Sequence, residues 1–523
     1  MTNSASIESL PGSDAHGERP HGIFERLGDW LNPVLVKEVR QAQRGRVFTV
    51  ALVATVLITL LSCVIMALDL SDSNTQPGRS FFTVVYVFVC GAMMLVVPFQ
   101  AFSSMGSEWD DHTYEMLVLS NLKPRQIVMG KLLAAVVQSA LLLAVFLPFL
   151  ATAFLLRGVD MLVLGVVLAL TAYASVWLST FSIMLSAVTR NRLLRVLLMV
   201  MLGGGLASLV SGAAALAQEF INRPDQMADT EFWIALPQIL VVFTLLGVLA
   251  FVITCNLLAH EEENRSSNVR ILGSVAIFAL LALVALNVGL ATVGLPREGV
   301  FGFSVVGIFA LTAVSVFLCS EPERLGRRVG PTVPRRPWLA FLTLPWYPGG
   351  GRGAAYLLLH LAVLVAGGFA IALFAEPPSY ARTPASSSLN SEGGAVLLLS
   401  AVYAVLYTLV PIGILAMFTR NTSGGRKFMR TIAFFSPFLY VLVPAIFGLV
   451  VGSYELRSTR HVGNPVRTMA GSVSAFEDHR DGVFFILLPL ALFGIVLALP
   501  KILRAVRETA TARQAVPVER SDR

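Results

Sequence analysis

The chain has 523 residues, 55% of them hydrophobic and 14% charged, with a formal net charge of +7 and a mean hydropathy of +0.74. Soluble domains average about 25% charged residues, so this composition excludes an ordinary cytosolic enzyme and a disordered scaffold. Twelve spans of about 20 residues would occupy about 240 positions, which defines the class as a polytopic, all-α integral membrane protein.

Residues 1–22 are polar, carry Ser, Gly and Pro, and lack the apolar core of a signal peptide; they read as a disordered cytoplasmic tail. Residues 23–46 predict an interfacial amphipathic helix. Asn32 can cap it and Pro33 suits its first position. Leu27, Trp30, Leu31, Val34, Leu35 and Val39 form its apolar face, with Lys37, Arg40 and Arg44 opposite.

Twelve membrane spans follow, at 47–69, 81–102, 132–156, 161–188, 196–217, 233–259, 271–294, 300–320, 354–375, 395–418, 431–452 and 483–503. Backbone groups in hydrocarbon must be satisfied within the segment, so these are helices. They divide into two blocks of six, 47–259 and 271–503, joined by a cytoplasmic linker at 260–270 and closed by a cytoplasmic tail at 504–523.

Charge placement orients the chain. With the N-terminus inside, the spans alternating and span-end charges counted with the adjacent side, the inside holds 30 of the 39 Lys and Arg residues and the outside nine, while acidic residues split 18 to 14. That is the positive-inside pattern, with both termini cytoplasmic. The basic excess therefore serves topology and anionic lipid rather than nucleic acid. No Asp, Glu, Lys or Arg falls near the middle of a predicted span. His360 is the ionisable exception and reads as a packed histidine. Cys63, Cys90, Cys255 and Cys319 all fall in apolar runs and read as packing residues.

The segment between the second and third spans carries the most chemistry. Glu108, Asp110, Asp111 and Glu115 surround Thr113, which can cap a short helix near 108–120. Met116, Leu117 and Leu119 give it an apolar face. Pro124 is expected to end it before the chain returns to the bilayer at Gly130-Lys131.

This stretch resembles the membrane subunits of type-2 ATP-binding-cassette (ABC) transporters. Their pattern is a Glu-rich approach to Gly-Thr-x-Glu, then Leu-Leu, Pro and Ile-Val-x-Gly-Lys. Glu108, Thr113, Glu115, Leu117, Pro124-Arg125, Ile127-Val128 and Gly130-Lys131 fit it without a gap. His112 stands where the family prefers Gly, and Asn121 where Pro is common. The lead-in from Leu31 to Arg40 also looks like the interfacial helix of such permeases. The resemblance implies the permease subunit of an ATP-driven exporter in a bacterial inner membrane, with 47–259 as the permease-like block. It further implies a separate cytosolic ATPase subunit, acting as a dimer and holding ATP and Mg. That partner would dock on Glu108, Thr113, Glu115, Leu117 and Leu119. This chain has no GxxxxGK[ST] loop of its own, and Gly349-Gly350-Gly351-Arg352-Gly353 reads as a flexible return loop.

Within the fourth span, Thr171, Ser175, Ser179, Ser182 and Ser186 share one helix face. The stripe can line a substrate conduit or bond across to neighbouring helices. Gly204, Ser208 and Gly212 form a small-residue face suited to close packing or self-association. Pro98, Pro148, Pro411 and Pro444 mark kinks. The outside loop at 453–482, with Glu477, Asp478, His479 and Asp481, reads as a solvated charged loop, and no catalytic residue or metal site is assigned. Two further readings stay open: a twelve-helix carrier or lipid-linked flippase not driven by ATP, and a membrane-embedded transferase using Asp69 and Asp72.

Overall fold

The computed structural model describes residues 33–44, 46–68, 77–111, 122–156, 159–188, 191–259, 266–290, 297–323, 332–334, 336–375, 392–418 and 480–512, with single positions at 116, 325, 329, 425 and 433. Among them every regular element is a helix, and no strand occurs. In chain order α1 is Pro33–Arg44 and α2 is Arg46–Leu68. The next membrane helix comprises α3, Pro77–Gly91, a π-helical turn at Ala92–Val96, and α4, Val97–Asp110. Then follow α5 (Pro124–Leu155), α6 (Met161–Ala187), α7 (Arg192–Asn222), α8 (Thr230–Leu258), α9 (Ser267–Leu290) and α10 (Arg297–Cys319). The rest are α11 (Pro337–Leu342), α12 (Gly350–Ala372), α13 (Glu392–Phe418) and α14 (Arg480–Ala512).

Ten helices among the described residues are long and apolar enough to cross a membrane. They are the joined α3–α4 helix, α5 to α10, and α12 to α14. The chain is a multi-pass α-helical membrane protein. The first predicted span coincides with α2, whose described apolar stretch is Leu52–Ser62. The eleventh, 431–452, lies outside the described residues except for Ala433, which is buried. So do Pro444, the loop at 453–479, the tail at 1–22, Leu27, Trp30, Leu31 and Asn32.

Several ends are set by local chemistry. Pro124 does not break a helix before the bilayer: it occupies the first turn of α5, where a missing N–H costs nothing. Ile127 to Lys131 are therefore already helical. Asp160 and Asn191 cap α6 and α7 by accepting from the backbone N–H groups of Leu162 (3.2 Å) and Leu193 (3.0 Å). The second span does not end near Phe102 but runs on to Asp110. Glu108 and Asp110 are thus its last turn rather than the start of a separate docking helix. Likewise α14 continues past 503 through Ala512, so residues 504–512 are helix and not tail.

Two large apolar cores dominate the described residues. One gathers Phe82, Val85, Met93, Phe146, Leu150 and Leu198 from the first half; the other gathers Val300, Phe301, Ile308, Tyr356, Leu364 and Leu397 from the second. α8 links them, since its Leu249 and Ile253 belong to the second core. Its end, at Cys255 and Leu258, packs with Met105, Ile127 and Ile183 of the first half. Outward-facing residues such as Leu57, Leu61, Val200, Val306 and Val496 stay exposed, as expected of surfaces solvated by lipid.

Candidate functional site

One end of the bundle gathers the buried charges. α1 lies across the start of α5 with Val34 and Leu35 buried beneath it. The approach is close because α5 offers a glycine: a Cβ on Gly130 would lie 2.7 Å from Val34 Cβ and 3.1 Å from Leu35 N. α1 also buries Glu38, which lies one helical turn beyond Val34 on the same face.

Beside Gly130, Lys131 is 2% exposed and forms the hub of this end. Its ammonium lies 2.8 Å from Glu38 Oε1 and 3.0 Å from Glu108 Oε1. It also donates to the carbonyl and the hydroxyl of Ser104, each at 3.2 Å. The three N–H donors are thereby spent on α1 and the end of α4. Lys37 reaches Glu108 Oε1 from the exposed side of α1 at 3.5 Å. A buried ion pair of this kind stabilises only when its partners are all present, because removing one strands the rest. Next to it, Arg195 of α7 donates to the Gly106 carbonyl at 2.8 Å and pairs with Asp110 at 2.8 Å. Four segments, α1, α4, α5 and α7, are tied by charge within one layer.

The second half has its own buried cations at the same end. Arg270, fully buried near the start of α9, pairs with Glu321 just beyond α10 at 2.9 Å. It also donates to the carbonyls of Pro345 (2.8 Å) and Gly349 (3.1 Å). Glu321 accepts from the Ser266 hydroxyl and the Gly349 N–H, each at 2.9 Å. Ser266 and Arg270 were expected in a linker; the structure seats both within the bundle. Arg352, also fully buried, donates to Thr509 Oγ1 and to the Ala505 carbonyl of α14 at 2.9 and 3.1 Å.

Gly349 to Gly353 is therefore no flexible loop: Gly350 opens α12. A side chain on Gly351 would collide with the Lys501 carbonyl, and one on Gly353 with the Leu318 carbonyl. These glycines let α12 begin in backbone contact with α10 and α14. Gly349 itself adopts φ 138°, a conformation open to glycine.

The structure places the residues singled out by sequence in different roles. Glu108 is 3% exposed and faces Lys131, so its carboxylate presents no surface for a partner; it acts inside the layer. Gly130 and Lys131 lie within α5, which begins at Pro124, and their chemistry is to seat α1. Thr113, Glu115, Leu117 and Leu119 lie outside the described residues. Met116, between them, is helical and 72% exposed.

The hydroxyl stripe of α6 is fully interior. Thr171 is 3% exposed, and Ser175, Ser179, Ser182 and Ser186 are 0% exposed. Thr171 and the Tyr86 hydroxyl are hydrogen-bonded at 2.7 Å. Ser175 contacts Ser139 Oγ at 2.8 Å and the Met93 carbonyl at 2.6 Å. Ser179 and Ser182 donate to carbonyls one turn back in α6. Thr171 and Ser175 thereby knit α3, the π turn, α5 and α6 together. The small-residue face of α7 is open instead: Gly204, Ser208 and Gly212 are exposed, and a Cβ on either glycine meets nothing within 4 Å.

His360 is packed, as expected. It is 1% exposed, hydrogen-bonded to Ser274 Oγ at 2.9 Å and to the Tyr356 carbonyl at 2.8 Å. Among the described cysteines, Cys90, Cys255 and Cys319 are buried and free. Sequence reasoning missed Glu38, Ser104 and the Arg270–Glu321 pair. The available signal for Glu38 was a carboxylate on the apolar side of an amphipathic helix.

Fold and layer together define a multi-pass helical membrane protein with an ion-paired layer at one end of its bundle. No family model, no curated protein and no solved structure matches the chain.

Proposed function

We propose that the chain is the membrane subunit of an ATP-driven exporter, set in a bacterial inner membrane with both termini in the cytoplasm, and powered by a separate ATPase that binds ATP and Mg. The carrying observation is the Lys131 hub. It joins α1, the last turn of the second span and the first turns of the third. Those two turns flank residues 112–121, the stretch that resembles a docking helix. A push on that stretch reaches both spans through buried ion pairs rather than through slack chain.

Energy then enters mechanically. Closure of an ATPase dimer shifts the docked segment, and α1, α4 and α5 follow as one body, so that access alternates by rigid helix motion. The described charge distribution favours this source of energy. Lys131, Arg195, Arg270 and Arg352 are all buried at one end of the bundle. His360, the ionisable group deeper in α12, is occupied by Ser274 and Tyr356. The same end carries Lys37, Arg40 and Arg192, which supports a cytoplasmic assignment for it.

The test is co-reconstitution of the chain with candidate stand-alone ATPases in vesicles. Hydrolysis is expected to rise when the cognate pair is present. Substrate movement that continues without ATP or any ATPase would overturn the reading in favour of a carrier.

A further inference from the structure

The segment between α10 and α12 carries a short helix, α11, with an uncovered apolar side. Trp338, Phe341 and Leu342 are 60%, 67% and 59% exposed, while Ala340 turns inward and is buried. Steps of three and four residues put the three large side chains on one face.

The residues after α11 fix its depth. Leu344 and Pro345 are buried. The Trp346 indole N–H donates to Ser274 Oγ inside α9 at 2.9 Å, and its ring lies 6.2 Å from that of His360 inside α12. The chain thus drops from α11 into the bundle within a single 3-10 turn, Leu344–Trp346. That places α11 at the mouth of the bundle, at the level where membrane spans end. Aromatic side chains concentrate at this level, where headgroups meet acyl chains.

Charge selects the kind of lipid. Arg336, the residue that caps α11, is exposed. Arg504 is exposed on α14, the helix α11 packs against. Four more arginines, Arg324, Arg327, Arg328 and Arg335, lie in the same segment. Glu321, an acid of that segment, is turned onto Arg270. Apolar side chains beside the exposed Arg336 and Arg504 match a leaflet that carries negative headgroups.

We infer that α11 is an interfacial anchor that binds anionic phospholipid through Trp338, Phe341, Leu342 and Arg336. Trp338, Phe341 and Leu342 enter the acyl boundary, and Arg336 meets the phosphate. The anchor holds the α10–α12 segment to the leaflet, the position at which the first half carries its docking-like stretch.

The full chain is placed in nanodiscs of phosphatidylcholine alone or with phosphatidylglycerol, either lipid carrying bromine on the upper acyl chain. The Trp338 signal is the difference in fluorescence between the parent and Trp338→Phe. Phe341→Trp supplies a second reporter on the same face should the first variant fold poorly. Brominated lipid is expected to quench both signals, and aqueous acrylamide to quench them weakly. Brominated phosphatidylglycerol is expected to quench more than brominated phosphatidylcholine at equal mole fraction, and Arg336→Gln to weaken that preference. Strong acrylamide quenching with no response to bromolipid would overturn the anchor and mark α11 as a water-facing surface open to a protein partner. Equal quenching by the two lipids would overturn the anionic selectivity.

Discussion

Val34 of α1 rests directly on Gly130 of α5, with 2.7 Å between Val34 Cβ and the position a glycine Cβ would take. Both atoms belong to rigid helices, and Val34 is branched at Cβ, so neither can step aside. Gly130→Ala should therefore lift α1 from its seat, at a loss on the order of 1–3 kcal/mol, the usual range for overpacking. Thermal unfolding in detergent measures it. Val34→Ala keeps the Cβ contact but removes that of Val34 Cγ1, at 2.8 Å, and should restore part of the loss; an unchanged transition in Gly130→Ala would mean that α1 is not seated there.

Lys131→Met leaves Glu38 and Glu108 buried without their common cation. Breaking a buried pair from one side costs about 3–5 kcal/mol, so this variant should be among the least stable single changes in the chain. Neutralising all three, with Lys131→Met, Glu38→Gln and Glu108→Gln together, should recover much of the loss. Comparison of the single and triple variants by thermal unfolding checks this, and a triple variant no better than the single one would show that the charges do not act as one unit.

Ser175→Ala removes bonds to Ser139 and to the Met93 carbonyl. Interhelical hydrogen bonds in membranes contribute about 0.6 kcal/mol on average and up to about 1.7, so a small drop in stability is expected. Transport should keep its substrate preference, because the hydroxyl faces neighbouring helices. A changed substrate profile in flux assays, at unchanged stability, would return the stripe to the role of a conduit wall.

Glu115→Arg should abolish co-purification of the chain with its ATPase while leaving membrane insertion intact, because the change reverses charge within the docking-like stretch. The triple variant Lys131→Met, Glu38→Gln and Glu108→Gln should instead preserve binding and weaken the stimulation of hydrolysis, because it cuts the link behind the docked segment without stranding a buried charge. Normal ATPase stoichiometry in the Glu115 variant would remove the docking role.

The membrane class and the helix positions were legible in the sequence because hydrocarbon imposes one solution, a long apolar helix, on each crossing. Helix ends were less legible. Glu108 and Asp110 look like the start of a surface helix when judged by polarity, yet the second span carries them as its last turn. A charged residue can extend a membrane helix when a partner waits for it, and Lys131 and Arg195 are those partners. Their pairing joins residues far apart in sequence, such as Glu38 and Lys131, and no local pattern encodes it. The glycines of 349–353 show the same limit. Composition alone suggests slack, whereas the carbonyls of Leu318 and Lys501 reveal a need for close approach. The hydroxyl stripe of α6 was visible by spacing, but only its neighbours decide between solvent and packing.

The π turn at Ala92–Val96 accommodates one residue more than an α-helical turn would. Everything beyond it, Val97 to Asp110, is therefore rotated by about 100°, the angle one residue subtends in an α-helix. Glu108 lies in the rotated portion, and Ser175 holds the Met93 carbonyl within the turn. The extra residue of that turn thus sets the azimuth at which the Glu108 carboxylate, at the end of the span, meets its lysine. Were that turn to relax to α-helical winding, the second span would swivel like a key and Glu108 would sweep out of reach of Lys131.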